Sequence, residues 1–169
     1  AAYAVVNYAK FGTLFSVPFY DQGFSIDPER QAFLDENNGS LFGVKFIPTT
    51  VLQYLRPDAL RFTSTFPFID FADFPGPIIG DMRFDLFDRS SSLPVALPLF
   101  FALAIVGLCV LFRPSSWRGT SPLATLRVPT IAAAAAALTI LPLGYIANRY
   151  LTDFLPLLVV SGVLGLQAV

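Results

Sequence analysis

The stretch LPVALPLFFALAIVGLCVLF, residues 93–112, runs for twenty residues without a charge. At 1.5 Å per residue a helix of that length reaches about 30 Å, the hydrocarbon thickness of a bilayer. Thirteen of its side chains are Leu, Ile, Val or Phe. On an insertion scale they sum to about −4 to −8 kcal/mol, more than Pro94, Pro98 and Gly107 take back. Ser90, Ser91 and Ser92 offer N-caps, and Pro94 suits a first turn. The stretch reads as a complete transmembrane helix.

Two further apolar runs follow. Residues 128–147 are also uncharged but hold only seven large aliphatic side chains around the alanine run 132–137. Small residues let helices approach closely in lipid, so Ala132 with Ala136, or Ala133 with Ala137, is expected to face a neighbouring helix, and Pro142 to kink the span. Residues 154–169 read as the opening of a third span, truncated where the chain stops, so the sequence is taken as an internal or C-terminal fragment. The expected fold class is mainly α and integral membrane: two complete spans and one truncated, behind a mixed, largely irregular extracytoplasmic segment with short helices. The domain division is 1–92 outside, with 1–6 as the end of an upstream membrane helix, and 93–169 in the bilayer.

Composition agrees with a bilayer and removes several chemistries. Of 169 residues 54% are hydrophobic and 14% charged, and the mean hydropathy is +0.63; soluble domains run at about 25% charged. A net charge of −1 leaves no basic excess for nucleic acid. No histidine is present, which excludes His-based acid–base catalysis and His-ligated metals, and the single Cys109 excludes an intrachain disulfide. The connection 113–127 carries Arg113, Arg118, Arg127 and Trp117 with no acid, whereas 148–153 carries one arginine. The positive-inside tendency puts the former in the cytoplasm and residues 1–92 outside, in a multi-pass membrane protein.

Within residues 1–92, Asp27-Pro28-Glu29 is a helix start, with a stop at Asn37-Asn38-Gly39. A second short helix is expected from Pro48 to Arg56, closed by Pro57. Residues 61–77 are extended and proline-broken, with Phe62, Phe66, Phe68, Phe71 and Phe74 either forming a small loop core or dipping into the membrane interface. Asp81, Asp85 and Asp88, at i, i+4 and i+7, would share a helical face and could bind a divalent cation through oxygen. The interspersed Arg83 and Arg89 favour a solvated acidic surface instead. A divalent metal has no other support, and no cofactor is evident. Asp70 and Asp73 read as surface, and Asp21 and Asp27 have no visible partner. No phosphate-binding loop, nucleophile elbow or dinucleotide fingerprint occurs.

Two motifs put polar groups at the outer membrane surface: NYAKFGT at 7–13 and ANRYLTDF at 147–154, the latter read as a tight turn between spans. An arginine at headgroup level can grip a phosphate through its planar fork, although snorkelling beside an interfacial tyrosine also explains it. A membrane exit, then NYAKFG, a mixed outer segment, further spans and an outer NRYL turn resembles polytopic actinobacterial membrane proteins related to GT-C glycosyltransferases. Those are similar to the polyprenyl-phosphate-sugar-dependent mannosyl- and arabinosyltransferases. The matching positions are Asn7, Tyr8, Lys10, Phe11 and Gly12, then Asn148, Arg149, Tyr150 and Leu151, with Lys10 standing where arginine is commoner. The resemblance implies transfer of a sugar from a polyprenyl-phosphate donor to an extracytoplasmic acceptor. Arg149 would hold the phosphate, and Asn148, Tyr150, Asn7 and Lys10 would shape the entrance. It places the catalytic acid in an early outer loop, so no catalytic residue is assigned. The resemblance also implies a bacterial cell membrane, and the expected partners are the bilayer and the lipid-linked sugar. The alternative is a non-catalytic polytopic protein, a transporter or an assembly component; Thr130, Thr139 and Gln167 are the few polar groups the runs offer for transport.

Overall fold

In the computed structural model, which describes residues 2–15, 19, 27–71, 76–113 and 124–169, the opening apolar stretch is two helices. These are α4 (Leu93–Ala96) and α5 (Pro98–Leu111), separated at Leu97 with φ −137° and ψ 57°. Proline disfavours helical geometry in the residue before it, and Pro98 acts in that way on Leu97. The uninterrupted helix α5 has 14 residues, about 21 Å, so the complete span expected at 93–112 is absent.

The expectation at 128–147 is corrected as well. Helix α6 (Ala124–Leu138) begins earlier and includes Pro129. It ends well before Pro142, which again biases its predecessor away from helix, so no kinked span exists there. The chain leaves α6 through turns, and Tyr145–Ile146 forms strand β4. Residues 148–153 are not a turn between spans. They belong to a 3-10 segment, Asn148–Phe154, that leads directly into α7 (Leu155–Ala168). Together these 21 residues, Asn148–Ala168, are the one described helix long and apolar enough to cross a membrane. The fold is mostly helical, and its longest apolar helix is the one expected to be incomplete.

Helix α5 packs along α7, and two glycines set the distance. A Cβ on Gly107 would stand 1.8 Å from the Ser161 carbonyl oxygen, and one on Gly165 would stand 2.0 Å from that of Leu103. Ala104, Gly107 and Leu111 of α5, with Leu158, Ser161, Gly162, Leu164 and Gly165 of α7, are buried between the helices and their neighbours. The Ser161 hydroxyl donates to the Leu157 carbonyl, which satisfies it within its own helix. Large apolar side chains point the other way: Leu99, Phe100 and Ile105 on α5, and Val159, Val163 and Leu166 on α7, are exposed. The two helices run parallel, since Gly107 meets Ser161 near their middles and Leu111 meets Leu164 and Ala168 nearer their ends. Helix α6 returns the chain between them, with Arg127 Nε donating to the Leu111 carbonyl at 3.2 Å. On α6, Ala137 is buried and Ala133 half-buried, but Ala132 and Ala136 are exposed, so only the second expected alanine pair turns inward.

Described residues between 27 and 92 build a layer at the N-terminal ends of α5 and α7. Helix α1 (Ala2–Phe11) carries Asn7 and Lys10, extending past the expected limit at residue 6. Helix α2 (Pro28–Glu36) starts as expected, with Asp27 accepting from the Glu29 amide at 3.0 Å, and the turn at Asn37 to Gly39 ends it. Helix α3 (Ile47–Leu55) follows a 3-10 turn, Val44–Phe46. Strands β1 (Leu60–Phe62) and β2 (Ile69–Phe71) form an antiparallel hairpin. Strand β3 (Leu86–Phe87) pairs in parallel with β4. Asp85 and Asp88 flank this short strand, so the acidic triad has no shared helical face.

Phe33, Leu34, Phe46, Tyr54 and Phe84 from this layer join Leu93, Ala104, Ile146, Leu151 and Leu158 in one core. Of the phenylalanines read as a loop core, Phe62, Phe66 and Phe68 are exposed and Phe71 is half-buried. Trp117 and Arg118 of the expected cytoplasmic connection, and Asp21, Asp73 and Phe74, lie outside the described residues.

The backbone approach at Gly107 predicts a sharp asymmetry between glycines of the same helix pair. Gly107→Ala must push α7 away and is expected to cost about 2–3 kcal/mol. Gly162→Ala meets its first neighbour, a Phe100 ring carbon, at an ordinary 3.5 Å, so it should be neutral or gain up to about 1 kcal/mol from helix propensity. Thermal unfolding of the two variants in detergent checks this.

Candidate functional site

Arg149 lies in the 3-10 segment where the chain turns from β4 into α7. Its guanidinium carbon sits 5.3 Å from the Tyr145 ring centroid and 5.0 Å from that of Tyr150. The two rings meet edge to face at 5.7 Å and 85°. Arg149 Nη2 donates to the Tyr150 hydroxyl at 3.1 Å. A delocalised guanidinium is suited to ring faces, and the stack orients the fork without consuming all its donors. None of the described carboxylates forms an ion pair with it. The Tyr145 hydroxyl reaches Asp88 Oδ2 at 3.4 Å; burial, and then the Asp88 charge, push the Tyr145 phenol above its ordinary range.

Asn148 has a different role from the one expected. Its Oδ1 accepts the Ser91 amide at 3.1 Å, which fastens the 3-10 segment to the approach of α4. Thr152 Oγ1 donates to the Arg149 carbonyl at 2.6 Å, closing one turn. Beside this turn opens an apolar groove of about 410 Å³, lined by Leu60, Phe71, Ala96, Leu97, Leu151 and Leu155, with Ser91, Asn148 and Thr152 at its polar edge. In a 3-10 helix residues three apart eclipse, so Arg149 and Thr152 leave the backbone on the same side.

Asn148 lines the apolar groove, and Arg149 and Tyr150 follow it in the same 3-10 segment without lining the groove themselves, whereas Asn7 and Lys10 are placed otherwise. Asn7 is buried and its amide nitrogen donates to the Thr13 carbonyl at 2.8 Å and to Thr13 Oγ1 at 3.3 Å, a clasp on the end of α1. Lys10 is exposed in the last turn of α1, where a cation complements the helix dipole. Sequence reasoning missed Tyr145, Thr152 and the groove. Tyr145 lies inside the expected second span, which is read from its aliphatic residues and lack of charge, although an aromatic four residues before an arginine is a usable signal.

The acidic candidates separate. Asp81 is exposed, Asp88 faces Tyr145, and Asp85 turns inward to Arg30 at 2.9 Å with its side chain only 3% exposed. No grouping of three or more potential metal ligands exists among the described residues. Arg56 makes a two-pronged pair with Asp58 at 2.7 and 3.0 Å. Its carbonyl accepts from Ser92 Oγ at 2.5 Å, tying the end of α3 to the start of α4. No family model, curated protein or solved structure matches the chain.

Burial raises the Asp85 carboxyl above its ordinary 3.8, and the Arg30 charge opposes this only in part. The native state then holds its proton at pH values where the unfolded chain has lost it. That contribution to stability is full below 3.8 and is lost as pH rises through the folded-state value. Asp85→Asn should flatten this segment of the stability–pH curve, as read from melting temperatures across the acid range.

Proposed function

We propose that α5, α6 and α7 lie in a bilayer and that residues 27–92 form a cap on its extracytoplasmic face. In this reading the chain is part of a GT-C-like glycosyltransferase that takes its sugar from a polyprenyl-phosphate donor. The arrangement of α5 and α7 supports the embedding. Gly107, Ser161, Gly162 and Gly165 lie inside with Leu111, Leu158 and Leu164, and the outer side bares Leu99, Phe100, Ile105, Val159, Val163 and Leu166, an apolar surface suited to hydrocarbon. Helices of 14 and 15 residues are short for about 30 Å of hydrocarbon, and α4 and the turns at the upper ends of the bundle would make up the depth with interfacial residues.

The observation that carries the donor assignment is that Arg149 sits in the same 3-10 segment as Asn148, Leu151 and Thr152, which line the groove. A polyprenyl phosphate has one dianionic or monoanionic head and one long apolar tail. Arg149, held against the Tyr145 and Tyr150 rings and without an ion-paired carboxylate among the described residues, offers the head a charged fork. The walls of Leu97, Leu151 and Leu155 offer the first isoprene units an apolar bed continuous with the helix surfaces. In the transfer itself, a carboxylate deprotonates the acceptor hydroxyl, its oxygen bonds to the anomeric carbon, and the lipid phosphate departs with the bonding pair. Arg149 would neutralise the charge that accumulates on that departing phosphate. The carboxylate belongs, by resemblance, to an early outer loop, and none of the aspartates described above is given the role.

In the full-length protein, Arg149→Ala should lower kcat/KM for a lipid-linked sugar about 10- to 100-fold, the loss of one or two charge-assisted hydrogen bonds. Arg149→Lys should recover part of it, as a point charge without the fork. Leu97→Trp, filling the groove, should raise KM with little change in kcat. Unaltered kinetics in both Arg149 variants would remove that residue from the site.

A further inference from the structure

The β1–β2 hairpin presents an unusual surface. Its register pairs Leu60 with Phe71, Arg61 with Asp70 and Phe62 with Ile69. Strand side chains alternate between faces, so Leu60, Phe62, Ile69 and Phe71 share one side, and Arg61 and Asp70 share the other. The ribbon is amphipathic, with Arg61 and Arg89 each 3.7 Å from the Asp70 carboxylate on its polar side. The apolar side grades from covered to bare. Leu60 and Phe71 wall the groove against Ala96, Leu97 and Leu155, while Phe62 is 89% and Phe66 86% exposed.

The turn is built, not loose. The Thr63 amide donates to the Phe68 carbonyl at 3.0 Å, the Phe68 amide to the Thr65 carbonyl at 2.7 Å, and Thr63 Oγ1 to the same Thr65 carbonyl at 3.1 Å. Phe66 and Phe68 stand edge to face at 6.0 Å. Phe68 holds φ at +70°, a conformation that bulky residues rarely adopt. Four large apolar side chains displayed by a braced turn do nothing for the core of the cap. The surface they form adjoins that of the helix ends, because the hairpin's inner end, the α4–α5 junction at Ala96 and Leu97 and the start of α7 at Leu155 line the same groove.

We propose that the hairpin is a lipid-contacting ribbon. Its Leu60, Phe62, Ile69 and Phe71 face and its Phe66 and Phe68 tip lie in the headgroup border of the bilayer that takes α7, an inference that rests on the embedded reading above. The occupant of the exposed face is the lipid surface. Aromatic rings at this depth are favoured because their apolar bodies meet the acyl boundary while the ribbon's arginines stay among headgroups and water. The ribbon would then fix the tilt of the cap over the helix ends and form the lipid-side wall of the groove.

The test uses the chain in phosphatidylcholine vesicles whose acyl chains are brominated near the headgroup. Trp117→Phe removes the native tryptophan, and Phe66→Trp or Val163→Trp supplies one reporter at a time. The expected result is that bromine removes most of the emission from both. Phe62→Trp repeats the reading at a second exposed position, so a folding defect at one site is recognised. If the Val163→Trp reporter is quenched while the hairpin reporters respond to aqueous acrylamide and not to bromine, the ribbon faces water and the proposal is overturned with the embedding intact. Hairpin reporters shielded from both quenchers would mean that protein covers the face, which also overturns it. If the Val163→Trp reporter escapes bromine, the embedded reading falls; the ribbon's lipid contact then stands only where the hairpin reporters are still quenched.

Discussion

The contact of α5 with α7 at Gly107 and Gly165 is the constraint on which the other elements depend. Two helices that are parallel yet separated by some forty residues need a return element of matching length, and α6, at 15 residues against 14, is that element. The glycines bring the backbones together so closely that each carbonyl at the crossing meets the other helix's main chain. With no Cβ in the way, dispersion acts over the whole length of the crossing, the form of association available where burial of apolar surface gives no drive. Aligning the pair also aligns its beginnings. The parallel alignment brings Leu97 to the start of α7, where Leu97, Leu151 and Leu155 line one groove.

A second consequence concerns residues 139–147. Once α6 has brought the chain back, this segment meets the cap and is absorbed by it through main-chain bonds. The Gly43 amide donates to the Pro142 carbonyl, the Gly144 amide to Leu41, the Asp85 amide to Gly144 and the Asp88 amide to Ile146, each at 2.8 Å. The Tyr54 hydroxyl, its phenol pushed upward by burial, donates to the Ala147 carbonyl at 3.3 Å. Backbone groups buried in this way must find partners, and the cap supplies them from three separate parts of the chain. The Arg149 turn is therefore held from both sides, by the β4 pairing before it and by the Asn148 contact to Ser91 after it begins. If Arg149 holds a phosphate, as proposed, such support from its surroundings would fix the fork.

How far this was legible depends on which physical signal dominates locally. The short helices α2 and α3 follow from Asp27, Pro28, Asn38 and Pro57, because capping and proline chemistry act within four residues and need no tertiary partner. Apolar content at 93–112 and 128–147 was legible too, but content does not fix continuity. An insertion sum treats Pro98 as a small debit, whereas the backbone at Leu97 responds to it as a break. Residues 139–147 read as membrane because they are uncharged; their strand pairing is set by Leu41, Gly43 and Leu86, distant in sequence and invisible to any window. Gly165 and Ser161 carry the small-residue spacing sought among the alanines, yet the alanine run drew attention by its length. At the site, Arg149 was readable as an exposed cation near a helix start. Its tyrosine stack was not, since Tyr145 arrives through the misread segment.

Polarity is distributed along the molecule in a way that joins these features. In the cap, several buried polar groups are satisfied: Thr50 donates to the Phe46 carbonyl, Thr49 accepts the Ile79 amide, Gln53 donates to Pro77 and Ser92 to Arg56. In the helices, Gly107, Ser161, Gly162 and Gly165 are buried beside Leu111, Leu158 and Leu164, and Leu99, Ile105, Val159, Val163 and Leu166 are exposed. The change from one regime to the other occurs over the interval from Ser90 to Leu97 on one strand of the chain and from Tyr145 to Leu155 on the other. On the proposed reading this interval marks the passage from water to hydrocarbon, where amphipathic groups are favoured. Tyr145, Arg149 and Tyr150 stand in that interval, and the phenylalanine ribbon roots there through Leu60 and Phe71. On the proposed reading, this coincidence makes the border the working level of the protein: a lipid-linked donor presents its only charge at that depth, and the chain concentrates its oriented cation and its apolar groove there.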